Sequence, residues 1–208
     1  MLAKRILTAI IGILAALYIV NFGQWLFAAA IIILALAAWL ELSNMLRNKD
    51  IKVSNIVGII AILVLLGCAL YGNSQETIAV LALSMLCVMA QTVLAYPAFS
   101  LTDAAFTLLG ISYIGVLFSY LILLRFLDVV YISTWFGIMP AGAAYLWLAF
   151  IGTWFSDTFA FFVGSKFGKR KLCPLISPAK TLEGSVGGLI GSMIGVALMG
   201  LSFHFPIQ

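Results

Sequence analysis

Of the 208 residues, 64% are hydrophobic and only 9% are charged, against about 45–50% and about 25% in an ordinary soluble domain. Eleven basic and seven acidic side chains cannot cover a soluble globule of this length, which excludes a soluble enzyme, a disordered chain and a secreted disulfide scaffold. The composition describes an all-α polytopic membrane protein, and the net charge of +4 points to anionic head groups or nucleotides more than to nucleic acid.

Long apolar runs must satisfy their backbone groups internally in a bilayer, so they read as helices. They are too long and too uniformly apolar for barrel strands. Spans are expected near Ile6–Phe22, Trp25–Leu46, Ile56–Tyr71, Ile78–Phe99, Ala104–Leu124, Ala143–Gly164 and Gly184–Phe203, about seven in all. The apolar segment Val129–Met139 is short, and its Tyr131 and Trp135 suit a re-entrant or interfacial piece.

A cytoplasmic N-terminus puts Lys4, Arg5, Arg47, Lys49, Lys52, Lys166, Lys169, Arg170, Lys171 and Lys180 on one side and leaves only Arg125 opposite. That bias is the positive-inside pattern, and the compact chain suggests a bacterial plasma membrane. No clear cleavage site ends the first span, so it reads as a retained helix, not a signal peptide. Cys68, Cys87 and Cys173 contain no CxxC and read as apolar fillers or free thiols. Glu41, near the cytoplasmic end of the second span, reads as a carboxylate at the interface or paired with Arg47, or else as a site residue. His204 reads as an interfacial histidine.

Residues 152–191 differ in kind. Asp157 lies inside the sixth span, where ionisable groups mark function by default. It is about 10 Å from the cytoplasmic helix end at 1.5 Å per residue, a depth that suits a metal or substrate site. A basic loop follows, with Lys166, Lys169, Arg170 and Lys171, which also attracts anionic lipid. Ser177-Pro178 is expected to open a helix, Ser as cap and Pro at the first position. Lys180, Thr181 and Glu183 would then line a helix mouth suited to phosphate, with Thr181 on phosphate or Mg²⁺ and Glu183 on metal or orienting a basic group. The spacing Gly164-Ser-Lys-Phe-Gly168-Lys169-Arg170 is not a P-loop. Gly187, Gly191 and Gly195 recur every four residues, the close-packing face of membrane helices. Gly184 and Gly188 are expected to let a phosphate approach the backbone.

The runs Ser156-Asp157-Thr158, Phe167-Gly168-Lys169, Leu172-x-Pro174 and Ile176-Ser177-Pro178-x-Lys180-Thr181-x-Glu183-Gly184, followed by Gly187-Gly188, resemble the phosphatidate cytidylyltransferase family, the CDP-diacylglycerol synthases. The resemblance covers the whole length, and residues 153–191 carry its specific part. It implies that phosphatidic acid attacks the α-phosphorus of CTP, giving CDP-diacylglycerol and pyrophosphate with Mg²⁺. Asp157, Lys180 and Glu183 would be catalytic, and Asp157 and Glu183 would hold the metal. Lys169, Ser177, Pro178, Lys180, Thr181, Gly184 and Gly188 would bind the nucleotide phosphates. Residues 1–140 then form a scaffold of about five spans. Residues 141–208 begin the catalytic membrane domain, with two spans and a cytoplasmic loop at 164–183.

The chain departs from the family at Phe159 and Phe161, where the family has Gly and Tyr. The family also continues into a Gly-Asp segment and a basic Asp-, Gly- and His-rich motif. The expectation is an N-terminal portion, nearly inactive alone, completed by a missing C-terminal portion or a homodimer. Two other readings are a CTP-dependent polyprenol or phytol kinase and a small transporter or assembly subunit. Product analysis separates the two enzymes, and a transporter leaves the Ser-Pro-x-Lys-Thr-x-Glu-Gly run unexplained.

Overall fold

The computed structural model describes residues 2–71, 76–127, 130–135 and 137–204. Val129 and the side chains of Lys4, Arg5 and His204 lie outside the described part. The chain divides into two compact units, Met1–Leu127 and Asp128–Gln208.

The first unit holds α1 (Leu2–Phe22), α2 (Gln24–Arg47), α3 (Asn55–Leu70), α4 (Glu76–Leu94) and α5 (Leu101–Arg125). The turn between α1 and α2 is a single residue, Gly23, with φ of +64°. Any Cβ there would run into the Arg125 guanidinium. Arg125 is buried, and its Nε donates to the Val20 carbonyl at 2.9 Å. A cation thereby answers one of the orphan carbonyls that end α1. The fourth span stops at Leu94, short of the expected Phe99, because Pro97 disfavours helix at the residue before it. The chain restarts at Ser100, whose side chain and that of Asp103 form a reciprocal capping box. α5 contains a π-helical turn at Ile111–Val116.

The interior of this unit is tight. The fully buried Trp39 ring fills the space that side chains at Gly58 and Gly110 would need, and its Nε1 donates to Asn55 Oδ1 at 3.2 Å. Ile62, Leu65, Leu66, Ile111 and Ile122 pack with no exposure. Many other large apolar residues, Ile56, Ile78, Leu86 and Val93 among them, are exposed. A soluble monomer rarely leaves such contiguous apolar surface, and lipid is the solvent it fits.

The second unit is built on α6 (Ala141–Phe167) and α7 (Leu182–Ser202). At one end, β1 (Tyr131–Thr134) pairs antiparallel with β2 (Gly137–Pro140) and with β5 (Phe203–His204). This hairpin is the form taken by the described part of the apolar segment expected at the interface. At the other end, β3 (Lys171–Cys173) pairs antiparallel with β4 (Ser177–Thr181), the register shifting between Lys171 and Cys173. The described chain is thus mostly helical, with short strands that the all-α expectation did not contain.

Among the described residues, five helices are long and apolar enough to cross a membrane: α2, α4, α5, α6 and α7. α3 and the Ile10–Phe22 part of α1 are apolar but shorter.

The expected helix start at Ser177-Pro178 is corrected. Residues 177–181 are extended, and the helix begins at Leu182. Thr181 takes the cap, its Oγ1 accepting the Gly184 N–H at 3.1 Å, and the Leu182 N–H is held by the Arg170 carbonyl at 2.9 Å. Pro178 has no N–H to give a ladder, which suits an irregular edge pairing. Lys180 and Thr181 therefore precede the helix instead of lying in its first turn.

Candidate functional site

The site begins with small side chains. On α6, Ser156, Ala160 and Gly164 recur every four residues and so share one face. On α7, Gly184 and Gly188 answer them. A Cβ at Gly184 would stand 2.9 Å from the Ala160 carbonyl oxygen, and one at Gly188 3.0 Å from the Ser156 carbonyl oxygen. A second row lies alongside, with Gly187 against Val163, Gly191 against Phe159 and Gly195 against Phe155. The pairs run in opposite senses, so α6 and α7 are antiparallel, with small residues letting the backbones approach as in membrane helix pairs.

Where the small row meets the hairpin, a cavity of about 670 Å³ remains. That is the size of a site for a small organic ligand. Asp157, Lys180, Thr181, Gly184 and Gly188 line it, together with Ser156, Ser165, Ser185, Phe161 and Leu172. Five of the residues expected from the sequence are thus brought to one cavity. Asp157 is exposed to it and has no hydrogen-bond partner among the described residues. Thr181 is buried at its edge and caps α7. Gly168 is fixed by Thr181, since a Cβ there would meet both the Thr181 side chain and the Gly164 carbonyl.

Glu183, Lys169, Ser177 and Pro178 are placed otherwise. Glu183 lies at the edge of a separate, apolar groove with Phe159, Val163, Val186 and Ile190. Its carboxylate accepts the Lys169 N–H at 3.0 Å and the Arg170 N–H at 3.2 and 3.3 Å. It holds the strand leading into the hairpin onto the start of α7. Lys169 is exposed beside this latch, and Ser177 and Pro178 lie in β4 outside the cavity lining. Phe159 is turned into the glycine seam, while Phe161 borders the cavity.

The donor set can be tested for a metal. Among the described residues, no three His, Cys, Asp or Glu side chains converge. The cavity offers one carboxylate, Asp157, with hydroxyls from Ser156, Thr181 and Ser185. These hard oxygen donors suit Mg²⁺, which takes one or two carboxylates and completes its shell with water and substrate phosphate.

Ser156 and Ser185 are lining residues to which the sequence reading gave no role. The Ser185 hydroxyl donates to the Thr181 carbonyl at 3.2 Å, tying a second oxygen to the cap. The four-residue repeat Ser156, Ala160, Gly164 was the available signal.

Known proteins bear on this arrangement. The profile of the cytidylyltransferase family matches residues 3–207. A phosphatidate cytidylyltransferase of Staphylococcus saprophyticus is 34% identical over 206 residues, 98% of this chain and 74% of the relative. One from Staphylococcus haemolyticus is 36% identical over 193 residues, covering 91% and 68%. One from Bacillus subtilis is 31% identical over 210 residues, covering 98% and 73%. With a cavity lined by Asp157, Lys180 and Thr181 at the end of an apolar helix pair, and similarity along nearly its whole length, the chain belongs to the cytidylyltransferase family.

Proposed function

We propose that the chain transfers the cytidylyl group of CTP to phosphatidic acid at the cavity beside Asp157. A phosphate oxygen of the lipid forms a bond to the α-phosphorus of CTP. The bond from that phosphorus to the β-phosphate oxygen breaks, and pyrophosphate leaves with its electron pair. The observation that carries this reading is the convergence of Asp157, Lys180 and Thr181 on one cavity at the end of two apolar helices, in a chain whose relatives are named for this reaction.

Such transfers need positioning and charge neutralisation more than covalent help. Lys180 supplies a point charge and Thr181 a hydroxyl for the triphosphate. Gly184 and Gly188 line the cavity where α6 and α7 pack closest. Asp157 and the neighbouring hydroxyls would hold Mg²⁺, which when bound neutralises the charge of the triphosphate. Glu183 positions the basic hairpin through its two backbone bonds. A lipid phosphate and a soluble nucleotide both have access where a transmembrane pair meets a surface loop.

The same reading has all seven helices crossing the plasma membrane with the N-terminus in the cytoplasm. Two features support it. The loop carrying Lys52 is bonded to the start of α5 through Asp103, as cytoplasmic segments should be. Arg125, the one basic residue assigned to the far side, meets the α1–α2 turn there. α3 spans about 24 Å at 1.5 Å per residue, so it crosses as a short span.

Cys173 tests the nucleotide site directly, because it is exposed on β3. In a variant with Cys68 and Cys87 replaced by Ala, CTP with Mg²⁺ slows modification of Cys173 by a soluble thiol reagent. Unchanged modification at saturating CTP sinks the nucleotide site. With phosphatidate added, the product is a cytidine-containing lipid; a phosphorylated alcohol with CDP released would replace this reading by a lipid kinase.

A further inference from the structure

The tip of the β3–β4 hairpin has an unusual composition for a turn. The Ile176 N–H donates to the Cys173 carbonyl at 3.2 Å, closing the turn Cys173-Pro174-Leu175-Ile176. Exposed turns are ordinarily made of Gly, Asn, Asp, Ser and Pro. Here Leu175 is fully exposed and Ile176 is 88% exposed. Behind them the hairpin is basic: Lys166, Lys169, Arg170, Lys171 and Lys180 are all exposed, and no acidic residue occurs between Asp157 and Glu183. An apolar edge with a basic flank is the signature of an element lying in a membrane interface.

Connectivity puts the hairpin at the right level. It leaves α6 after Phe167 and returns at Leu182, so both feet stand at one end of an antiparallel apolar pair. Phe167 is itself exposed, and the Lys166 ammonium lies 5.6 Å from the centre of its ring. Seven residues separate Gly168 from Leu175, a reach of up to about 23 Å. The tip can therefore bend to the bilayer beside its own helices. The hairpin also forms part of the cavity wall, through Leu172, Ala179 and Lys180.

We propose that this hairpin docks on the membrane leaflet at its own end of the helix pair, with Leu175 and Ile176 immersed below the head groups and the basic flank on anionic lipid phosphates. The docked hairpin holds the cavity mouth at head-group depth and gathers anionic lipid next to Asp157. The proposal rests on the reading of α6 and α7 as spanning helices and of the cavity as the site of an anionic lipid substrate, but its measurement does not depend on turnover.

The test uses a bimane label on Leu175→Cys, with the three native cysteines replaced, in nanodiscs containing phosphatidylglycerol. Leu189→Cys, on the exposed face of α7, and Lys49→Cys, in the α2–α3 loop, serve as membrane and aqueous references. The expected result is quenching at position 175 by shallow doxyl lipids about threefold stronger than at position 49, with weak quenching by iodide, and a weaker doxyl effect in purely zwitterionic discs. Iodide quenching equal to that at position 49 overturns the proposal. So does protection from both quenchers, which means that protein covers the tip. Doxyl quenching in a protein that makes no cytidine lipid leaves the docking intact and removes the reaction.

Discussion

Two helix starts in this chain, at Leu101 and at Leu182, are built alike and end differently. Each is capped by a hydroxyl that accepts a backbone N–H from the first turn, Ser100 from Asp103 and Thr181 from Gly184. Each has a first-turn carboxylate that catches the backbone of a lysine-bearing segment, Asp103 the Lys52 N–H at 2.7 Å and Glu183 those of Lys169 and Arg170. At Leu101 the arrangement is closed. Asp103 also takes the Ser100 hydroxyl proton at 2.8 Å, Thr107 accepts the Ser54 N–H, and Val88, Phe99 and Ala104 fill the space beside it. At Leu182 no carboxylate takes the Thr181 proton among the described residues, and the neighbours of Thr181 are Gly164, Gly168 and Gly184. A cavity remains. The same capping chemistry makes a sealed joint where large side chains pack and an open cavity where small ones do.

The largest expected effect contrasts a carboxylate in the cavity with one on the scaffold. Asp157→Asn lowers the rate of cytidine-lipid formation by on the order of 10²–10³-fold and leaves the thermal midpoint in detergent unchanged, since Asp157 has no hydrogen-bond partner among the described residues to lose. Glu41→Gln, exposed on α2, leaves both unchanged. An Asp157→Asn enzyme retaining more than about a tenth of the rate removes Asp157 from the chemistry.

The glycines sharpen the comparison next. Gly191→Leu forces a side chain into the Phe159 ring, and Gly58→Ala forces one into the Trp39 indole. Each costs about 1–3 kcal/mol of stability, read as a lowered unfolding midpoint. Gly67→Ala, whose Cβ would meet nothing within 4 Å, does not lower it. Equal losses at all three positions mean that contact with Phe159 and Trp39 does not set the cost, since the change in helix propensity alone would stabilise each variant.

These contrasts also show what the residues announce before a structure exists. The helices were legible because in lipid a hydrophobic run and a helix are nearly the same statement, and every expected span has its helix within a few residues except at the Pro97 end of α4. The seam was half legible. The spacing of Gly187, Gly191 and Gly195 was plain, but its complement Phe155, Phe159 and Val163 reads by itself as ordinary apolar sequence. The hairpin was not legible. Ser177-Pro178 and Thr181 are both good caps, and the choice falls to Arg170, whose carbonyl holds the Leu182 N–H from twelve residues away. β3 has only three residues and no alternation of polarity to declare it a strand.

Asp103→Asn tests the sealed joint. It weakens the acceptor of the Lys52 and Ser100 N–H groups in a buried setting, at a cost of about 1–3 kcal/mol in stability. The CTP concentration for half-maximal rate stays unchanged, because protein side chains fill this joint.

Glu183→Gln should do the reverse, and its effect is the smallest. The side chain is only half-buried, so water replaces much of what the charge gave, and the fold keeps its midpoint. What loosens is the strand from Lys169 to Lys171, and with it the hairpin that carries Lys180 into the cavity. The CTP concentration for half-maximal rate therefore rises about threefold while the maximal rate holds, and Cys173 reacts faster with a soluble thiol reagent. If the maximal rate collapses instead, Glu183 acts on the reacting phosphates and the two helix starts differ in chemistry as well as in packing.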